Sequence, residues 1–168
     1  IRTGDFGSYF EGETFQVSVL SNGTVGYFKD GDLFAVGSES PAFPLYATVR
    51  FGSNGASLSR VHWVKRIVKG ANDLQYVTWT DLKGTSTDEM AKSGIQRSAR
   101  GKSWRTGART QRAITKVGDE VRGLSFDAGQ TNKHLFVGLT AKNVDYSSEN
   151  SHRAIDYAIY LHGNGYAL

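Results

Sequence analysis

The stretch FQVSVLSNGTVGYFKDGDLFAV, residues 15 to 36, decides the fold class. Apolar and polar residues alternate with period two in Phe15–Leu20 and in Thr24–Phe28, which is typical of half-buried β-strands, and the short apolar run Leu33–Val36 is typical of a third strand. Asn22-Gly23 and Asp30-Gly31 separate the three runs, and both dipeptides favour tight hairpin turns because they accept positive φ at both turn positions. The stretch therefore predicts a three-stranded antiparallel meander.

The rest of the chain also has the composition and the short apolar runs of a β protein. Of its 168 residues 20 are Gly and only 2 are Pro, and Val, Thr, Phe and Tyr are common, which is typical of a turn-rich β protein. Further strands are predicted at Leu45–Phe51, Ser59–Val64, Leu74–Thr80, Arg109–Thr115, Glu120–Phe126, His134–Leu139 and Ala154–Leu161. Short strands separated by glycine turns predict an all-β fold, a two-sheet antiparallel β-sandwich of the jelly-roll type.

A polar and basic segment, Lys65–Asp73, is the predicted linker. It separates a first half, residues 1–64, from a second half, residues 74–168, and the halves do not repeat each other. A chain of 168 residues is long enough to bury one core. We therefore expect one compact domain, or two complementary halves of one sandwich.

Basic residues are concentrated in one band of the chain. Residues 91–117 hold eight of them and no acidic residue, whereas the remainder has 12 basic and 16 acidic side chains. Such a band can contact a polyanion, the acidic face of another copy, or only solvent. The residues predicted to contact an acidic surface are Arg97, Arg100, Lys102, Arg105, Arg109 and Arg112. Nucleic acid is not expected as a partner.

The sequence contains no catalytic constellation. Cys is absent, which excludes thiol catalysis and thiolate-bound metals. A Gly-x-Ser-x-Gly elbow, a P-loop and a dinucleotide fingerprint are also absent, and the His residues form no ligand pair. We therefore expect neither an enzyme nor a cofactor. Asp145, Glu149 and Asp156 can approach one another, as the two carboxylates of a glycosidase would have to. Ca²⁺ remains an alternative in Asn143–Asn150, where oxygen ligands are dense.

Aromatic residues suggest a different role. Trp79 and Trp104 are expected in the core, where most Trp side chains of a sandwich lie. The residues expected to reach the surface and to stack on sugar rings are Tyr9, Tyr27, Tyr146 and Tyr166. Asn22-Gly23-Thr24 is a glycosylation sequon on a predicted hairpin tip, so Asn22 would carry a glycan if the chain were secreted. The compartment itself stays open, with an extracellular or surface location slightly favoured.

Several motifs together resemble one known module. Those of the first half are Gly4–Tyr9, Gly12–Phe15, Asn22–Tyr27, Lys29–Gly31, Pro44–Ala47 and Val61–Trp63, and those of the second half are Val77–Thr80, Ser103–Ala108, Phe136–Thr140, Ile155–Leu161 and Gly163–Gly165. The first set is similar to the later half, and the second set to the opening, of a concanavalin-A-like, SPRY-like sandwich. This resemblance implies a two-sheet antiparallel fold that hosts ligand or protein binding rather than catalysis.

The resemblance runs in swapped order, which has three explanations. The chain can be a circular permutant, a slice of a tandem array, or a subunit whose strand completes another copy. For the last case the inter-copy strand would be Ile155, Tyr157 and Ile159, which alternate with Asp156 and Ala158. The expected function is a non-enzymatic, self-assembling structural module of a fibre, shell or surface layer, whose partners are other copies of itself. The alternative is a lectin-like carbohydrate-binding module, and membrane insertion is not expected because no long apolar run occurs.

Overall fold

A computed structural model of the chain describes residues 7–65, 74–88, 94–98, 104–146, 148 and 153–168. Within these ranges the chain forms strands joined by turns and loops, with no α-helix. The strands are β1 (Thr14–Val19), β2 (Val25–Lys29), β3 (Asp32–Val36), β4 (Leu45–Phe51), β5 (Ser57–Lys65), β6 (Gln75–Tyr76), β7 (Trp79–Lys83), β8 (Thr85–Asp88), β9 (Gly94–Arg97), β10 (Thr106–Ile114), β11 (Val121–Ala128), β12 (Leu135–Thr140), β13 (Tyr157–His162) and β14 (Tyr166–Ala167). The described residues include no helix long and apolar enough to cross a membrane.

The strands form two antiparallel sheets that pack as a sandwich. The eight-stranded sheet has the order β3-β2-β1-β11-β5-β9-β8, and β6 pairs with β5 beside β9. The six-stranded sheet has the order β14-β13-β12-β4-β10-β7. The predicted fold class, an all-β two-sheet antiparallel sandwich, is confirmed.

Alternation along the strands explains how the core forms. In β1 the side chains of Phe15, Val17 and Val19 are buried between the sheets. In β4 the side chain of every second residue from Leu45 to Phe51 is buried in the same way. Phe15 stacks on Phe126 of β11 with ring centroids 5.9 Å apart. Because the side chains of a strand point alternately to its two faces, the same period leaves residues such as Arg50 and Thr48 on the outer face of the six-stranded sheet.

The two turns of the predicted meander are present, but only one has the expected geometry. Asp30 and Gly31 have φ of 50° and 91°, as a two-residue hairpin turn with two positive φ values requires. In the first hairpin only Gly23 has positive φ, at 84°. There Leu20 and Thr24 close a three-residue loop through a 2.8 Å backbone hydrogen bond. The expectation of positive φ at Asn22 was wrong, because in a three-residue loop the glycine alone takes the left-handed position.

Three strands were not predicted, and one predicted strand is divided. β8, β9 and β14 are short and have little apolar alternation, so the sequence gives a weak signal for them. The segment Leu74–Thr80 forms β6 in the eight-stranded sheet and the start of β7 in the six-stranded sheet. Lys65, the first residue of the predicted linker, is the last residue of β5, and residues 66–73 lie outside the described residues.

Residues near the two ends of the chain pair with each other inside one chain. Ser8 forms a β-bridge with Tyr166, and the Tyr9 N–H donates to the Gly165 carbonyl oxygen at 2.7 Å. The strand predicted as an inter-copy element, β13, pairs with β12 and β14 of its own chain. Tyr157 and Ile159 lie in β13, whereas Ile155 is buried just before it. Strand exchange is therefore not required to complete the sandwich, because the chain supplies both neighbours of β13 itself.

Candidate functional site

A polar cleft of about 410 Å³ opens at the border between the two sheets. Its lining residues come from three places: from β5 and β6 of the eight-stranded sheet, from β10 of the six-stranded sheet, and from the short connection between β6 and β7. They are Trp63, Gln75, Tyr76, Thr78, Gln111 and Arg112, and we call this site the border cleft. All six belong to the described residues.

Strand pairing positions the first wall of the border cleft. Trp63 lies opposite Gln75 and His62 opposite Tyr76 in the antiparallel pair of β5 and β6. Trp63 is buried and forms part of the core, so it supplies an apolar floor. The Tyr76 ring is set edge-on to the His62 ring, with centroids 6.4 Å apart. The two-residue β6 thus holds an amide and a phenol beside a buried indole.

A β-bulge positions the second wall. The pairing of β10 with β4 shifts register between Arg109 and Ala113, and Gln111 and Arg112 lie inside that irregularity. Thr110 supports the bulge, since its hydroxyl donates to the Arg112 carbonyl oxygen at 2.9 Å. β-Bulges often redirect side chains at functional sites. Here the bulge contains Gln111 and Arg112, which line the border cleft.

The polar groups of the border cleft have unused hydrogen-bonding capacity. Within the part of the chain that the structure describes, the side-chain amides of Gln75 and Gln111 and the hydroxyls of Tyr76 and Thr78 form no intramolecular hydrogen bond. Gln75 and Tyr76 are half-buried, whereas Thr78 and Gln111 are exposed. All four can exchange hydrogen bonds with water for hydrogen bonds to a ligand, so the cleft can bind a ligand rich in hydroxyl or carboxylate oxygens.

A small ion network borders the cleft. Arg112 Nη2 lies 3.6 Å from Glu120 Oε2, and Lys65 Nζ lies 3.7 Å from Glu120 Oε1. Both distances are long for an ion pair, and the Glu120 side chain is 63% exposed. Such contacts contribute about 0–1 kcal/mol each, so they leave Arg112 able to bind another anion.

The four tyrosines predicted to bind carbohydrate do not form one platform. Tyr9 is a core residue, set edge-on to Phe15, and its hydroxyl donates to the Gln130 carbonyl oxygen at 3.0 Å. Burial, with a smaller effect from Tyr160, raises the pKa of Tyr9 to about 12. The expectation of a surface position for Tyr9 was wrong, because the segment before β1 packs its ring between the sheets.

The other three tyrosines lie on separate elements. Tyr27 of β2 is half-buried against Phe34, and burial, followed by the effect of Tyr157, raises its pKa to about 12. Tyr146 lies under the Arg50 guanidinium, 4.6 Å from its ring centroid, and burial raises its pKa. Tyr166 of β14 is the one of the four that is exposed. The structure therefore provides no shared sugar-stacking face built from these residues.

The predicted basic band is not one continuous surface. Arg97 is buried in β9 and its Nη1 donates to the Phe51 carbonyl oxygen at 3.4 Å, so its surface position was predicted wrongly. Arg109 lies 4.5 Å above the Tyr46 ring and 3.0 Å from an Asp81 oxygen. Arg112 borders the cleft and Arg105 is exposed. Arg100 and Lys102 lie outside the described residues.

Of the three carboxylates that the sequence allows to converge, Asp156 has other partners and Glu149 lies outside the described residues. Asp156 accepts from Ala141 N–H and Thr140 Oγ1 at 3.0 Å and pairs with Lys142 at 2.9 Å. Glu149 is not among the described residues, and within the described ones no three His, Asp or Glu side chains gather as a metal site. Asn22 is exposed at its hairpin tip, where Oδ1 accepts from the Thr24 N–H and hydroxyl, and its glycosylation remains a prediction.

Sequence reasoning missed the border cleft and one aromatic cluster. Trp104, expected in the core, lies over Gly52 on the outer face of the six-stranded sheet. Its ring centroid is 5.2 Å from that of Phe136 and 6.1 Å from that of Tyr160. The period-two pattern carried a signal for this cluster, because Phe136 and Tyr160 alternate with core residues in β12 and β13. No such signal existed for the border cleft, since most of its residues are polar and they come from three separate segments of the chain.

Comparisons of the chain with protein-family models, with curated proteins and with solved structures found no match. The two-sheet sandwich therefore rests on its own strand order and pairing. It is compatible with a jelly-roll-like module. Any function has to be argued from the residues of the site.

Proposed function

We propose that this protein is a non-enzymatic, lectin-like module that binds a saccharide in the border cleft. The observation that carries the proposal is the set of four polar side chains, Gln75, Tyr76, Thr78 and Gln111, which surround one cleft and form no intramolecular hydrogen bond there. Saccharides present many hydroxyls, and amide and hydroxyl side chains can both donate to them and accept from them. The half-buried Tyr76 ring, beside the buried Trp63 indole, supplies the apolar surface that a sugar ring also needs.

Size and fold add support. A cleft of about 410 Å³ lies within the usual range for small-molecule sites, which is about 300–1,000 Å³. The resemblance to concanavalin-A-like, SPRY-like sandwiches belongs to the same proposal, since such modules host binding rather than catalysis. The proposal replaces the predicted tyrosine platform with a site whose residues lie at the border between the two sheets.

The test is calorimetry or a glycan array with the intact chain. Gln75→Ala and Gln111→Ala should each weaken saccharide binding about tenfold, the loss expected for one hydrogen bond of about 1.4 kcal/mol. Gln96→Ala is the matched control, because Gln96 is an exposed glutamine on β9 that does not line the cleft. Absence of binding across a broad panel of neutral and charged saccharides would contradict the proposal.

Self-assembly is the second candidate function, and a different surface supports it. Leu20, Phe28 and Leu33 converge over Gly26, where an added Cβ would lie 2.9–3.1 Å from each of them. Val36 lies opposite Gly26 in the pairing of β2 with β3. We call these apolar residues the edge patch. Because β3 ends the eight-stranded sheet, its outer backbone groups can pair with another strand.

The edge patch gives a sharp test of self-assembly. If copies associate there, Leu33→Lys should raise the dissociation constant at least tenfold in light scattering or sedimentation, because a charge enters the apolar contact. Leu74→Lys is the control, since Leu74 is 52% exposed and Leu33 is 51% exposed. A wild-type chain that stays monomeric at high concentration, or equal effects of the two substitutions, would exclude assembly through this patch.

A further inference from the structure

The charge around the border cleft narrows the class of saccharide. Among the described residues that line the cleft, Arg112 carries the only charge. Just outside, Lys65 and Arg112 share one carboxylate, that of Glu120. Among the described residues, the group of Lys65, Arg112 and Glu120 has one more positive than negative charge, and no acidic side chain lies in the lining that the structure describes.

The lining is also rich in hydrogen-bond donors. Arg112 presents a fork of N–H groups, the two glutamine amides present NH₂ groups, and Tyr76 and Thr78 present hydroxyls. Arginine binds carboxylates through paired, charge-assisted hydrogen bonds, which are stronger than those to neutral hydroxyls. A neutral sugar would use the amides but would leave the guanidinium without its best partner.

We propose that the border cleft selects a saccharide that carries a carboxylate, such as a uronic acid, and that Arg112 binds this carboxylate. The inference rests on the proposed saccharide-binding function and adds the chemical class of the ligand. Gln75, Thr78 and Gln111 then bind ring hydroxyls, and Tyr76 with Trp63 contacts the apolar face of the ring.

Glu120 has a defined part in this scheme as an internal competitor. Its carboxylate already lies 3.6 Å from Arg112 Nη2, which shows that a carboxylate can approach the guanidinium from the solvent side. A ligand carboxylate has to share the Arg112 guanidinium with Glu120 or displace the Glu120 carboxylate from it. Because Glu120 is exposed and its distances to both cations are long, the contact is weak enough to yield.

The experiment compares matched ligands and matched variants by calorimetry. The probes are trimers of galacturonic, glucuronic, mannuronic and guluronic acid, each against its methyl ester, which keeps the ring and removes the charge. We expect at least one acid to bind about tenfold tighter than its ester. Arg112→Gln should abolish that preference, whereas Glu120→Gln should increase affinity for the acid and not for the ester. Lys133→Gln, which removes a cation elsewhere, should change neither.

The outcomes separate the two proposals. If esters or neutral oligosaccharides bind as tightly as the acids, the inference about the carboxylate is overturned while saccharide binding stands. The same holds if Arg112→Gln retains the preference for the acid. If no acid, ester or neutral oligosaccharide binds, both proposals fail. Circular dichroism of each variant should match the wild type, so that a loss of affinity is not a loss of fold.

Discussion

At the scale of single residues, Asp156 connects β13 to the loop that follows β12. Its carboxylate accepts from the Ala141 N–H and the Thr140 hydroxyl and pairs with Lys142. Partial burial acts to raise the pKa of Asp156, but the hydrogen bonds from Lys142, Ala141 and Thr140 outweigh it and hold the pKa below its usual range. The ionised carboxylate is therefore favoured in the folded state.

This lowered pKa predicts how the stability of an Asp156→Asn variant depends on pH. At pH 7 the variant should be less stable than the wild type by about 1 kcal/mol, because the charge that Lys142 contacts is lost. The pKa of an unfolded aspartate is about 4, and a carboxyl group with a lower pKa in the folded state stabilises the fold above that value. This stabilisation is lost as the pH falls through the folded pKa, so the difference in stability between variant and wild type should shrink in acid. Thermal melts of both proteins at pH 7 and in acid, below about pH 4, measure this difference in stability. Asp32→Asn is the control, because Asp32 is exposed. A difference that persists at low pH would assign the effect to shape rather than to charge.

Residue roles were the least predictable part of this molecule. Tyr9 and Arg97 were both expected at the surface, yet both are buried. The type of a residue indicates only the usual location of its side chain, whereas its burial depends on which segment packs beside it. Tyr9 is an example, because residues 7–9 pair with residues 165–167. The border cleft could not be predicted at all, because a two-residue strand and a β-bulge bring its polar residues together.

At the scale of elements, the sequence predicted strands and turns well where short-range interactions set the backbone conformation. The predicted strand Leu45–Phe51 has the observed bounds of β4, and the Asp30-Gly31 turn has the expected positive φ values. Both depend on residues that are neighbours in the chain. By contrast β8 forms by pairing with β9, and β9 by pairing with β8 and β5, so little in their own sequence indicates a strand.

The first hairpin gives a test at this scale. Gly23 has φ of 84° and the space around it is open, since a Cβ added there would lie 3.7 Å from its nearest neighbour, Val117. Gly23→Val should therefore destabilise the fold through backbone strain alone, by about 1–2 kcal/mol. Gly23→Asn should cost less, because asparagine tolerates the left-handed conformation. Chemical denaturation measures both, and equal losses for the two variants would contradict the strain argument.

At the scale of the whole molecule, the two halves of the chain interleave. β1 lies between β2 and β11, and β4 lies between β10 and β12, so each sheet combines strands from residues 1–64 with strands from 74–168. The division into complementary halves and its bounds stay a prediction. The period-two pattern predicted which face of a strand is buried, but it cannot predict which strand lies beside it, because every partner that buries the same face satisfies the pattern.

The contact between residues 7–9 and 165–167 predicts that the order of the halves can be exchanged. A variant in which a short Gly/Ser linker joins Leu168 to Ile1, and which opens between the exposed residues Asn54 and Gly55, retains every strand pair that the structure describes. New chain ends at an exposed loop tip are usually tolerated, because the strand pairing on either side of the tip is left intact. We expect the same β spectrum, the same mass in light scattering and a loss of stability of about 1–3 kcal/mol, since loop-closure costs change only slowly with loop length. The control is the linker without the new opening. A permuted chain that forms higher assemblies than its parent would show that residues 7–9 pair with 165–167 of another copy, and the intra-chain closure of the sandwich would be wrong.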